Sequence, residues 1–152
     1  MRRLLFAAIL LSCSRSAPPA PVRYGPIMAE TGRRFELAGR AAAAGRFELA
    51  AFEAGELQEL FEDDLPRAEL PKEGPTATLP ALASDFSKTH PPALKKAAAA
   101  KDRAAFADAF QRAATACNAC HQASGRGFLE IPSALEKSVP NLEPISADGA
   151  LR

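Results

Sequence analysis

Apolar residues recur at intervals of three and four along most of this chain, the period of helices that bury one face. Met28, Thr31, Phe35, Ala38 and Ala42 form the first stripe. They predict a helix over residues 26–44, with Pro26 suited to its first turn and Gly45 ending it. Phe47, Ala50, Ala54, Leu57 and Phe61 form a second stripe over 47–64, which Pro66 stops. Pro66, Pro71, Pro75 and Pro80 then mark residues 65–80 as the longest internal loop. A third helical region covers 81–99 and is expected to break or kink at His90-Pro91-Pro92, because proline lacks an amide donor and disfavours helix at the residue before it. The fourth, 102–123, places Phe106, Phe110, Ala113, Cys117 and Cys120 on one stripe, with Asp102 as its N-cap and Gly125 at its C-terminal end. No segment alternates in the manner of a strand. The pattern predicts an all-α antiparallel four-helix bundle over 26–132. An irregular tail follows over 133–152, and Phe128, Leu129 and Ile131 are expected to anchor the stretch after the fourth helix.

The N-terminus has a different character. Arg2 and Arg3 precede an apolar run from Leu4 to Leu11, the charged-then-apolar order of an export signal, and that run is too short to span a bilayer as a mature helix. It ends in Leu10-Leu11-Ser12-Cys13, which resembles the lipobox of bacterial lipoproteins, with residues 1–12 removed and Cys13 becoming a lipidated first residue. The alternative is an ordinary signal peptide cleaved near Ser16. Residues 13–25, with Pro18, Pro19 and Pro21, read as a tether too poor in large apolar side chains to fold. Either cleavage sends the domain to the periplasm or its equivalent, anchored to the membrane if Cys13 carries lipid.

Charge excludes one class of partner. The chain holds 19 Lys and Arg against 18 Asp and Glu, and without Arg2 and Arg3 the balance tips to one net negative charge. There is no basic stripe with interleaved aromatics, so nucleic acid is not an expected partner. The acidic second helix, with Glu48, Glu53, Glu56, Glu59, Glu62, Asp63 and Asp64, reads as a solvated face in preference to a docking surface.

The candidate chemistry is concentrated in Cys117-Asn118-Ala119-Cys120-His121, a C-x-x-C-H run of the kind that attaches a c-type haem. Two thiols can hold the macrocycle as thioethers while the adjacent imidazole coordinates iron. On a helix turning ~100° per residue these positions share one face, so a single segment can supply both anchors and a ligand. A thioredoxin-like couple would need a βαβ setting, which is missing around residues 100–125. A structural zinc would need four ligands, and His90 is the one other Cys or His of the mature chain apart from Cys13. No arrangement of Ser, His and acidic residues suggests a nucleophile, and no enzyme activity is expected.

Four predicted helices with C-x-x-C-H near the end of the last resemble class II cytochromes c, the family of cytochrome c′ and its low-spin relatives. The resemblance covers roughly residues 26–125, and only the C-x-x-C-H run is highly specific. It implies one covalent haem c bound through Cys117 and Cys120, His121 as proximal iron ligand, and electron transfer with redox partner proteins outside the cytoplasm. Low-spin members take a Met of the first helix as sixth ligand, which falls on Met28. Without that ligand the resemblance implies a five-coordinate haem that binds a diatomic gas such as nitric oxide. The family's habit of dimerising leaves a homodimer open. One departure stands out: family members commonly carry a basic residue just after the haem His, whereas here Arg126 is the first, and a haem propionate is the role expected for it.

Overall fold

A computed structural model of the chain describes residues 22–134, so Cys13, the leader, most of the tether and most of the tail lie outside the described residues. Four helices make up the described part: α1 Tyr24–Ala43, α2 Phe47–Glu59, α3 Leu79–Ala99 and α4 Arg103–Ala123. There is no strand among the described residues, only an isolated bridge between Arg23 and Glu69. Each helix packs along the next one in sequence, whereas α1 and α4 meet only sparsely.

The buried stripes follow the expected periodicity with local corrections. On α1, Ile27, Thr31, Phe35, Ala38 and Ala42 are buried, and Met28 is only half-buried beside Ile27. Phe35 stacks on Phe110 of α4 with ring centroids 4.1 Å apart, joining the first and last helices through their cores. α2 is shorter than expected as an α-helix, because residues 60–64 widen into a π turn and residues 65–67 tighten into a 3₁₀ turn. Leu57, Phe61 and Leu65 are all buried at four-residue spacing. An α-helix would rotate that spacing ~40° per step off the core, and the wider turn holds all three inward.

α3 runs unbroken through Pro91 and Pro92, contrary to the expected interruption at His90. Pro91 is itself fully buried, in line with Phe86, Leu94, Ala97 and Ala98. Each interior proline costs a helix ~3 kcal/mol of propensity. Burial of large side chains on both sides of the pair, ~1.5–3 kcal/mol each, offsets that cost. Local sequence signals a break, and packing overrides it.

Three of the helices end alike. At Gly45 (φ +76°), Lys101 (φ +53°) and Gly125 (φ +72°) the backbone turns left-handed. At the last of these, Gly125 N–H donates to Gln122 and Arg126 N–H to His121, and the same pair of bonds closes the other two. This is the Schellman arrangement, in which glycine carries no steric penalty and lysine does. Lys101→Gly is therefore expected to stabilise the domain by about 0.5–1 kcal/mol, read as a higher urea midpoint at unchanged m-value. Asp102 caps α4 as its sequence suggests, its carboxylate accepting from Ala105 N–H at 3.0 Å.

The acidic face of α2 also differs from expectation. Glu53 is buried, 6% exposed, and Arg34 of α1 reaches it at 3.0 Å while also holding Glu30 at 2.8 Å and Glu56 at 3.1 Å. Arg33 and Arg34 together hold the Glu30 carboxyl down to about 2. A guanidinium can serve several carboxylates at once because its donors form a planar fork. Arg34→Met should cost about 3 kcal/mol, since it leaves Glu53 buried without its counter-charge, and adding Glu53→Leu should recover most of the loss. Equilibrium unfolding of the two variants checks both steps.

Candidate functional site

The sparse contact between α1 and α4 borders a cavity of about 1410 Å³, larger than the ~300–1,000 Å³ usual for drug-sized ligands. Its inner wall is apolar, formed by Phe35, Phe61, Leu65 and Phe86. Met28 of α1, His90 of α3, and Cys117, Cys120 and His121 of α4 all line it. Two stretches outside the helices complete the wall, residues 69–73 of the proline-rich loop and residues 128–131 after α4.

The C-x-x-C-H residues occupy the last two turns of α4, where the Schellman turn at Gly125 sends the chain back along the helix. Two features hold that returning segment. Asn118 donates to the Ile131 carbonyl at 2.9 Å and accepts from the Ile131 amide at 2.7 Å, so one side chain mimics a strand neighbour. The Leu129 carbonyl lies 2.8 Å from His121 Nδ1. A carbonyl can only accept, so Nδ1 carries the proton and Nε2 keeps its lone pair free for a metal. Of the three expected anchors after α4, Ile131 packs against the core, but Phe128 is 81% and Leu129 46% exposed.

The proline-rich loop closes over the same end of the bundle. Arg126 donates to Ser124 O at 2.8 Å and to Glu73 O at 3.1 Å, which ties the loop to the end of α4. Gly74 (φ +83°) passes so near that a Cβ there would come within 2.6 Å of Ser124 O. A main-chain bridge from Glu69 N–H to Val22 O, 2.9 Å, pins the loop to the start of α1. Arg126 thus spends part of its donor fork on carbonyl groups, while Arg23 and Lys72 add two more cations to the cavity wall.

Burial sets the state of the thiols. Desolvation pushes the Cys117 thiol up to about 12, with neighbouring Cys120 adding to the rise, and Cys120 is raised by burial as well. Both cysteines are free. A dithiol redox couple needs a stabilised thiolate, and this wall does the reverse. Burial also raises the Tyr24 phenol, with a smaller contribution from Cys120. Across the cavity, desolvation and then Arg112 hold His90 below the usual imidazole range, with its ring 5.0 Å from that of Phe86.

Among the described residues no three or more His, Cys, Asp or Glu side chains converge as a metal cage. A structural zinc therefore finds no complete ligand set there. A macrocyclic metal needs only one or two axial side chains and is not subject to that requirement. His90, on the continuous α3, also lines the cavity. Thr31 lines the cavity too, and its hydroxyl, fully buried, has no hydrogen-bond partner. Asn118 and Thr31 are the residues that sequence reasoning missed. The only signal for the first was a poor helix former in mid-helix, and Thr31 resembles any other stripe position. Compared with known proteins, the chain matches no family model, no curated protein and no solved structure.

Proposed function

We propose that this domain is a monohaem c-type cytochrome that transfers electrons outside the cytoplasm. The observation that carries the reading is that Met28, distant in sequence, lines the same large apolar-floored cavity as Cys117, Cys120 and His121. An antiparallel bundle would bring the end of α4 level with the start of α1, consistent with residue 28 sharing a cavity with residues 117, 120 and 121. The donor set suits a haem: two neutral thiols to anchor it, an imidazole whose Nε2 is free, and a thioether from a second helix lining the same cavity. The group, when bound, supplies a one-electron iron couple.

The chain's own residues do the rest. Cys117 and Cys120 would hold the macrocycle by thioethers against the last turns of α4. His121 would give the iron-ligating nitrogen, its ring oriented by the Leu129 carbonyl. Met28 would give the distal thioether. Phe35, Phe61 and Phe86 exclude water from the inner wall, which keeps reorganisation small when charge changes. Arg23, Lys72 and Arg126 line the cavity and would offer cationic partners to the propionates of a bound haem, in place of the basic residue that the family carries just after its haem His. The rest of the reading is export, lipidation at Cys13, a bacterial periplasmic location on a lipid anchor, and redox proteins as partners.

The test is the full chain co-expressed with a c-type maturation system. Haem that survives acid-acetone extraction, with a sharp α band on reduction, is the expected result; a purified chain without covalent haem overturns the reading.

A further inference from the structure

We propose that Thr31 is a positioning residue that donates a hydrogen bond to the Met28 sulfur and so tunes the iron couple. The inference rests on the haem reading above. Its starting point is the Thr31 hydroxyl: the residue is 7% exposed, its Oγ1 has no partner, and it lines the cavity. A buried hydroxyl left unsatisfied is destabilising, and valine would fill the same volume without that cost. In a helix a threonine commonly returns its hydroxyl to the carbonyl one turn back, and Thr31 does not.

Helical side chains lean toward the N-terminus, so residue 31 overlies the turn that carries residue 28. Met28 is three residues back on α1 and lines the same cavity. The apolar wall of Phe35, Phe61 and Phe86 holds no acceptor. The Met28 thioether is a soft acceptor one turn away, and ligation to iron would restrict it to one conformation. Donation from the hydroxyl withdraws electron density from the sulfur. Ferric iron depends on that density more than ferrous iron, so the bond favours the reduced state.

The experiment compares the full haem-loaded chain with Thr31→Val, Thr31→Ser and Met28→Leu. Thr31→Val should lower the ferrous-to-ferric ratio at a fixed applied potential about fivefold, which is about 40 mV at 59 mV per tenfold for one electron. It should also move the weak far-red band that a Met–ferric bond produces. Thr31→Ser keeps the hydroxyl and should restore both. On a Met28→Leu background Thr31→Val should change nothing, because the acceptor is gone; a merely structural threonine would act equally in both backgrounds. A parent chain without covalent haem overturns this proposal together with the functional reading. A loaded parent whose potential is indifferent to Thr31→Val overturns this proposal alone, and a loaded parent with no far-red band overturns it together with the assignment of Met28 as ligand.

Discussion

Replacing both Cys117 and Cys120 by alanine abolishes covalent haem, so that acid acetone strips all haem from the purified protein. Either single replacement leaves one thioether and a partly extractable population. The reason is local concentration: a tethered group is held near its site at an effective concentration on the order of millimolar, whereas a free one must bind from solution. Stability follows attachment. The cavity of about 1410 Å³ adjoins the core of a bundle whose buried positions are largely alanine, and small side chains cannot close around it. A group bound at about 1,000 times its dissociation constant contributes about 4 kcal/mol to the folded state, so the double variant should melt roughly 15 °C below the loaded protein. Differential scanning calorimetry beside the extraction assay checks both expectations. Covalent haem in the double variant overturns the assignment of the site.

Replacing Met28 by leucine lowers the midpoint potential by on the order of 100 mV, within the ~0.8 V that axial ligands span, and lets carbon monoxide bind promptly to the reduced protein. A Met ligand raises the potential of a His-ligated haem by favouring ferrous iron, so its loss acts in the opposite direction. Leucine nearly preserves the packing volume of a half-buried side chain, and the cost in stability should stay below about 1.5 kcal/mol. That separation makes the variant decisive. Unchanged spectra and potential would make Met28 core filling. His90, on the same cavity wall, would then be the candidate sixth ligand, and without it an open distal side would favour the diatomic-binding reading.

What the sequence determined by itself is whatever depends on neighbours a few residues apart. Helix period, the Asp102 cap and the glycine ends at Gly45 and Gly125 are local, and C-x-x-C-H is a local chemical unit whose spacing already puts its residues on one face. Tertiary structure decided the rest, because the partners come from far along the chain. Pro91 and Pro92 read as a break, yet buried contacts on both sides of them keep α3 whole. Glu53 reads as solvated until Arg34, 19 residues earlier, reaches it across the α1–α2 contact. Phe128 and Leu129 read as anchors, but after the left-handed turn at Gly125 the Asn118–Ile131 clamp and the contact of the Leu129 carbonyl with His121 hold the returning segment through its backbone, and both side chains stay exposed at the cavity rim. Periodicity tells which side of a helix is buried. It does not tell what that side is buried against, and the tautomer of His121 and the orphaned hydroxyl of Thr31 follow from that second fact alone.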